Sequence, residues 1–510
     1  MTAASNLATG ASFALKWEGI QWDVVTREVK RLQVRIAKAI KEGRHNKAKA
    51  LQRLLTCSFF AKLLAVKRVV SNTGGNTPGV DGEVWKSSCQ KWRAALSLKR
   101  FGYQTKPLRR VYIPKANGKL RPLSIPVMKC RAMQALHKLA LEPISESVAD
   151  PNSYGFRPKR SCADAIGQCF ISLAKRQNAQ WILEGDIQSC FDEISHPWLL
   201  EHICMDKGML KKWLKAGYVE KGTIHRTERG TPQGGIISPT LLVLTLKGLE
   251  AAIHNACPRK GGKVNVVVYA DDFIVTGTTK EMLENKVKPA IETFLAERGL
   301  KLSAQKTLLT HIDEGFDFLG FTVRKFKGKL IIKPAKKGVG NFLSRNRELI
   351  KSLNGAPAAT VILALNPKIR GWVNYYRHVC SKQTFTNVDN KIFYALWKWA
   401  KRRHPNKGSR WVKDKYFTSN RQLNWVFFGE YLQGNQTKTE YLDYASKTRI
   451  QRHVKIRSHA NPFDPAYHQY FLDRAKRTTR SGGKAAALLE EPSTGYLTAG
   501  SSVRVGLKKV

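Results

Sequence analysis

"VVVYADDFIVTG", Val266 to Gly277, is the stretch on which the reading of this chain turns. Seven of its first nine residues are apolar or aromatic, yet Asp271 and Asp272 stand side by side between two runs suited to burial. Adjacent carboxylates repel, and aspartate is depleted in strands. The segment reads as a hairpin, with "NVVVY" leading in, "FIVT" leading out and the pair at the bend, where aspartate also occurs for purely structural reasons. A second segment decides between the two. In "ILEGDIQSCFDEISH", residues 182–196, Asp186 ends a short apolar run, and Phe191 and Asp192 precede a helix-like stretch. A carboxylate at a strand end and a pair on a hairpin tip can hold two divalent ions between them. Two-metal sites clamp the attacking and leaving oxygens of an in-line phosphoryl displacement. Mg²⁺ suits such a site because it takes one or two carboxylates together with substrate phosphates and water. The ions would relieve the repulsion, and the apolar flanks would hold the hairpin rigid.

The bulk properties point the same way. Among 510 residues, 88 Lys and Arg face 38 Asp and Glu, a formal net charge of +50. Such an excess opposes compact folding through self-repulsion unless a polyanion offsets it. Nucleic acid is the expected partner, since its phosphates take up Lys and Arg as counterions are released; an anionic membrane or a solubility role is the blander alternative. No apolar run approaches the ~18 residues of a membrane span, and the first twenty residues lack a basic region followed by a solid apolar stretch. Nine scattered cysteines with no CxxC read as reduced thiols, mostly core. Reduced thiols fit a cytoplasmic location.

Along the chain, residues 22–42 place Val25, Val29, Leu32, Ile36 and Ile40 at steps of three or four, an amphipathic helix with a basic outer face. Gly43 and Asn46 interrupt it, helical spacing resumes, and "SNTGGNTPGVDG" at 71–82 reads as a loop. From about 105, "RRVYIPKANGKLRPLSIP" alternates short β-rich runs around Asn117-Gly118, a strong hairpin signal. Mixed patterns continue to "KLIIKP" near 333. Residues 340–405 read as helical and aromatic, and the last forty residues as poorly ordered.

Taken in order, "RRVYIPKANGKLRPLSIP", "SYGFRPKRSCADAI", "DIQSCFD", "RGTPQGGIISPTLL", "YADD", "GLKLSAQKT" and "FDFLGF" resemble the blocks of reverse transcriptases. In detail they are similar to the group II intron-encoded reverse transcriptase/maturases, in the form without a C-terminal HNH endonuclease. "WEGIQWDVVTREVKRLQVRIAKAIKEG" and "NTPGVDG" resemble that family's N-terminal extension, and "IRGWVNYYRHVCSKQTF" its maturase or thumb region. The resemblance implies an α+β right-hand polymerase of fingers, palm and thumb, with a helical N-terminal extension and a helical thumb/maturase domain. Its expected divisions are a helical extension with an RNA-contacting loop (1–82), fingers and palm (83–333), thumb/maturase (334–410), a basic nucleic-acid-binding segment (411–470) and a poorly ordered tail (471–510).

The family's functional residues carry over by position. Asp186, Asp271 and Asp272 match the metal-binding catalytic carboxylates, with the Ile187 carbonyl as a further ligand for two Mg²⁺ ions, or Mn²⁺ in their place. Lys119 and Arg121 match finger residues that hold the incoming triphosphate, whose charge needs cations beyond the metals. Gln233, next to Gly234 and Gly235, sits where the family contacts the incoming nucleotide, and Lys306 matches the lysine after the catalytic hairpin. Phe318, Leu319, Gly320 and Phe321 match the grip on the primer end. Phe191 would lie under the sugar and clash with a 2′-hydroxyl, selecting deoxynucleotides; without the motif it would read as ordinary core.

Between 369 and 403, Trp372, Tyr375, Tyr376, Trp397 and Trp399 interleave with Arg370, Arg377, Lys398, Lys401, Arg402 and Arg403. Aromatics with arginines serve RNA recognition, but an aromatic stripe at helical spacing is more often core. The aromatics are therefore expected to be structural and the basic residues to face RNA. "VKIRSHANPFDPAYHQYFLDR" resembles the lead-in to the family's nuclease, yet no cysteine follows Cys380 and no metal-ligand histidine cluster appears, so endonuclease activity is not expected. His453, His459 and His468 read as solvated or nucleic-acid-facing. The expected partners are a group II intron RNA, template RNA, a DNA primer or target and deoxynucleoside triphosphates, without a membrane. The expected activities are RNA-directed DNA synthesis, splicing support and intron mobility by target-primed reverse transcription. A defence-associated reverse transcriptase (retron or CRISPR-linked) and an RNA-binding splicing factor with an idle polymerase are the alternatives.

Overall fold

The structure, a computed structural model, describes residues 12–114, 118, 120–419 and 424–480, the side chains of 477–480 excepted. The chain divides into two compact units: Met1–Ala165 with Leu183–Leu309 and Ile456–Val510, and Ile166–Ile182 with Thr310–Lys455.

In the first unit, α1 (Trp22–Lys41), α2 (His45–Cys57) and α3 (Phe59–Ser71) pack on α4 (Met128–Val148). The apolar stripe read from the sequence is the buried face of α1, with Val25, Val29, Ile36 and Ile40 inside. Leu32 is only half-buried, and Gln33 goes inward beside it, its amide donating to the Leu139 carbonyl at 2.8 Å. That bond offsets the cost of burying the amide. Helix α4 is enclosed on nearly every side, which is why it shows no one-sided periodicity.

Two four-stranded sheets follow these helices. β1 (Leu108–Pro114) pairs antiparallel with β2 (Leu120–Ile125), ending at Pro114↔Leu120, so the hairpin expected around Asn117-Gly118 forms. Lys115–Asn117 and Lys119 lie outside the described residues. The second sheet has the order β6-β7-β3-β8, formed by β3 (Trp181–Asp186), β6 (Asn265–Tyr269), β7 (Asp272–Gly277) and β8 (Leu308–His311). The first sheet continues through β4 (Tyr218–Glu220) and β5 (Thr223–His225) in the order β2-β1-β4-β5.

The second unit contains the antiparallel sheet β9 (Phe316–Phe318), β10 (Phe321–Phe326) and β11 (Lys329–Pro334). Three helices follow, α5 (Lys336–Ser352), α6 (Ala358–Tyr376) and α7 (Lys382–Arg403), and then a small sheet of β12 (Phe417–Thr418), β13 (Val426–Gln433) and β14 (Gln436–Tyr441). The aromatic stripe is packing. Trp372 stacks on Phe342 at 4.6 Å, and buried Trp399 donates to the Leu353 carbonyl at 3.1 Å. Trp397 meets Phe417 at 5.6 Å and Trp425 at 5.5 Å.

The compact units cut the chain at other places than the expected divisions. Strands β9–β11 cluster with helices α5–α7. The 411–470 segment is divided, with 411–455 in the second unit and Ile456 onward in the first. The expected tail begins inside a helix, His468–Arg480; residues 481–510 lie outside those described. What holds the returning segment is Asp164, fully buried, which accepts from the Ile456 backbone and the Arg474 guanidinium at 2.7 Å each. A buried carboxylate needs such partners. Nothing local in 454–474 reveals that they lie some three hundred residues upstream. None of the nine cysteines forms a disulfide, and no described helix is long and apolar enough to cross a membrane.

Candidate active site

The hairpin that carries Asp271 and Asp272 closes at Tyr269↔Asp272, leaving Ala270 and Asp271 as a two-residue turn. Ala270 takes φ 60°, at the position where such hairpins favour glycine. The surroundings hold it there. Residues 152–155 run alongside β6, with Val268 N donating to Asn152 O at 3.0 Å and Tyr154 N to Val268 O at 2.9 Å. Gly155 then lies so close that a Cβ would sit 2.3 Å from Ala270 N. Gly185 does the equivalent for β3, where a Cβ would meet the Phe273 ring at 2.2 Å. The absence of a side chain there lets β3 and β7 approach, and Asp186 arrives beside the aspartate pair. The link is completed by Ile187 N donating to Asp271 O at 3.3 Å.

The block after the hairpin supplies the fourth charged group. Ser303 N donates to Asp186 O at 2.8 Å and Gln188 N to Lys301 O at 3.0 Å; neither bond uses the Ile187 carbonyl. This pairing carries Lys306 to Asp186, its Nζ 2.9 Å from Oδ2. The Lys306 ammonium is pushed to a higher pKa, first by that hydrogen bond. Burial raises Asp271, and the Asp186 charge adds to the rise against the pull of Arg121 and Lys306. Asp272 is pushed up to about 7 by desolvation, by the charges of Asp271 and Asp186, and by a hydrogen bond shared with Asp186. Its side chain opens to solvent, so water screens part of this repulsion.

These groups fit divalent metal. The donors are hard carboxylate oxygens with a free backbone carbonyl beside them, the kind Mg²⁺ prefers, and the mutual repulsion is what a cation relieves. Among the described residues no three His, Cys, Asp or Glu side chains gather tightly enough to close around an ion by themselves. Water and phosphate oxygens would have to complete each shell.

Of the residues expected to meet the nucleotide, Phe191 is half-buried rather than core, edge-on to Phe156 at 6.1 Å. Gln233 donates through Nε2 to Asp192 Oδ2 at 2.8 Å, and both line a cavity of about 360 Å³ together with Arg110 and Ser124. Arg121, on β2, is exposed and acts electrostatically on Asp271 and Asp192. Lys119 is outside the described residues. Sequence reasoning gave no role to Asp192 or Arg110, although Asp192 directly follows Phe191 in the same block.

Phe318, Leu319, Gly320 and Phe321 lie in the other unit, at the β9–β10 turn, with Leu319 at φ 51° and Gly320 at φ 80°. Tyr375 donates to the Leu319 carbonyl at 2.8 Å. Of the basic residues expected to face RNA, Lys398 and Arg402 line a groove of about 620 Å³ with Arg347, Lys351 and Lys391. Lys401 is exposed near Trp397, and Arg377 is half-buried. Arg370 is paired with Asp443. Arg403 turns inward, donating to the carbonyls of Asn354 and Ala356 at 2.7 Å each, with its guanidinium 4.7 Å from the Trp399 ring centre. It satisfies carbonyls in the turn after α5, a structural task the sequence pattern does not distinguish from RNA contact.

Fold and site together define a reverse transcriptase. Residues 113–323 match the reverse transcriptase (RNA-dependent DNA polymerase) family, 17–98 the N-terminal domain of reverse transcriptase, and 339–417 the group II intron maturase-specific domain. The chain belongs to the group II intron-encoded reverse transcriptase/maturase family. It is 34% identical to Protein YkfC of Escherichia coli (strain K12) over 302 residues, 50% of this chain and 78% of that one. To the group II intron-encoded protein LtrA of Lactococcus lactis subsp. cremoris it is 29% identical over 379 residues, 61% of this chain and 60% of that one. Maturase-like protein 1 of Euglena longa is 26% identical over 376 residues, 70% of this chain and 77% of its own length. The chain thus spans most of YkfC but under two thirds of LtrA. A structure of telomerase from Candida albicans in complex with a TWJ fragment of telomeric RNA aligns over 61% of this chain at 14% identity, with a TM-score of 0.35, too slight a likeness to argue from.

Proposed function

We propose that this protein copies RNA into DNA and binds its own intron RNA as a splicing maturase, supporting intron mobility by target-primed reverse transcription. The observation that carries the polymerase reading is the convergence of Asp186, Asp271, Asp272 and Lys306 at one end of the central strands β7 and β3. Asp186, Asp271, Asp272 and the Ile187 carbonyl would hold two Mg²⁺ ions, which when bound lower the pKa of the primer 3′-hydroxyl and neutralise the leaving pyrophosphate. The chain's own residues position. Lys306 balances Asp186 so that three carboxylates can share one end of the central strands. Arg121, with Lys119, would meet the triphosphate, and Phe191 would exclude a ribose 2′-hydroxyl. Phe318–Phe321 would carry the primer end on a turn fixed by aromatics.

The maturase reading is supported by the match to the group II intron domain and by the cation-lined groove between α5 and α7. Crosslinking the protein in its own cells and sequencing the RNA it carries tests that part. One dominant structured RNA, bounded by intron ends and containing this reading frame, is the expected result. A different small RNA, or an unselective sample of transcripts, would overturn the maturase reading and leave the polymerase standing.

A further inference from the structure

The Gln233–Asp192 contact has a chemical direction. An ionised carboxylate only accepts hydrogen bonds, whereas a glutamine amide has a donating and an accepting end. Facing Asp192 Oδ2 at 2.8 Å, Gln233 must turn its NH₂ toward the carboxylate, which leaves Oε1 directed away. With the amide reversed, two oxygens would oppose each other.

Both partners are held. Asp192 N donates to Ser189 O at 2.8 Å, and Thr231 N to Phe191 O at 2.5 Å. Gly230, at φ 81°, packs so tightly that a Cβ would lie 2.4 Å from Asp192 O. On the other side, Ser124 N donates to Gln233 O at 2.8 Å, and Gly234, at φ 116°, approaches Ser124. Burial pushes Asp192 upward in pKa, while Arg110, the Gln233 bond and Arg121 pull it back toward the charged form. Arg110 is itself fixed, its guanidinium 3.8 Å above the Tyr218 ring. Asp192, Gln233 and Arg110 all line the same cavity, next to Phe191.

We propose that Asp192 is a positioning residue that locks the Gln233 amide with its oxygen toward the substrate, where it accepts a hydrogen bond from the 3′-hydroxyl of the incoming deoxynucleotide. The inference rests on the reading that Gln233 meets the incoming nucleotide and Phe191 its sugar. Of the donors a nucleotide offers, the sugar hydroxyl is the one beside Phe191. A free amide would spend part of its time reversed, offering NH₂ to a hydroxyl that is then forced to act as acceptor.

The test compares kcat/KM for a deoxynucleoside triphosphate with that for its 2′,3′-dideoxy analogue, in single-nucleotide extension on an RNA template. One hydrogen bond corresponds to a preference of about tenfold. Gln233→Ala should lose that preference, Asp192→Ala should lose it equally, and the double variant no further. Asp192→Asn, whose amide can turn either a donating or an accepting end toward Gln233, no longer imposes one direction and should lose part of it. Asp192→Glu keeps the charge but pushes Gln233 away by a methylene, and should lose the preference even if Asp192→Ala does not fold. A role in stability alone would leave the ratio unmoved. If Gln233→Ala abolishes the preference while Asp192→Ala and Asp192→Glu retain it, the proposal is overturned and the nucleotide-contact reading stands. If Gln233→Ala leaves the ratio intact, that reading fails and the proposal with it.

Discussion

Two hairpins in this protein use the same backbone device for opposite ends. Each is a two-residue turn with a non-glycine residue forced into the left-handed region, Ala270 at φ 60° and Leu319 at φ 51°. Such conformations cost about 1–3 kcal/mol and persist only where the surroundings over-determine them. At Ala270–Asp271 the restraint is backbone, through the close approach of Gly155, and what the turn presents is charge. At Leu319–Gly320 the restraint is aromatic: Tyr375 bonds the Leu319 carbonyl, and Phe321 lies against both Tyr375 and Tyr376 at about 5 Å. The first turn carries a carboxylate that repels its neighbours; the second, Leu319–Gly320, carries no charged side chain. Where a turn must display reactive groups, its stability is supplied by glycine-mediated contact from behind. Where it must display backbone, side-chain packing suffices.

That difference can be broken experimentally. Phe321, fully buried, should be the most damaging site: Phe321→Ala is expected to cost about 3–5 kcal/mol in a thermal or denaturant melt of the second unit. Next, Gly185→Ala would drive a methyl into the Phe273 ring and separate β3 from β7. Primer extension should fall about 10²-fold, since misplacing a reacting group by an ångström costs that much. Overpacking of about 1–3 kcal/mol should lower the melting point with it. Phe191→Val should leave stability nearly unchanged, because the ring is only half-buried, but raise ribonucleotide incorporation relative to deoxynucleotide by about 10–200-fold. Unaltered sugar discrimination would remove Phe191 from its assigned place. The smallest effect belongs to Tyr375→Phe, which deletes one bond to Leu319 and should cost about 1 kcal/mol with the packing intact.

How much of this was legible in the sequence follows from the same contrast. Asp186, Asp271 and Asp272 stood out because two separate segments place carboxylates at the ends of apolar runs, and the order of the blocks supplied the rest. The α1 stripe was legible because it has one buried face. Helix α4 had none to offer, being enclosed all round. The contacts that create the site were not legible: Gly185 against Phe273, Gly155 against Ala270 and Asp192 against Gln233 join positions whose proximity exists only after folding. The same holds for the 456–480 segment, whose anchor at Asp164 no local pattern announces. Arg403 read as RNA-facing because guanidinium groups that satisfy carbonyls and those that bind phosphates look alike in a sequence.

Under the proposed function, Asp271 and Asp272 are kept for chemistry against the interest of the fold. The most direct test is Asp272→Asn, with two readouts at pH 8, above the value of about 7 to which Asp272 is pushed by desolvation and by the charges of Asp271 and Asp186. DNA synthesis on an RNA template with Mg²⁺ should fall by about 10²–10³-fold or more, as when a charge-stabilising group is removed from a polar active site. The melting temperature without divalent ions should stay level or rise, because a repelling carboxylate has gone. Near-normal synthesis, or a melting temperature that drops together with the activity, would contradict the account and return the aspartate pair to the role of an ordinary turn.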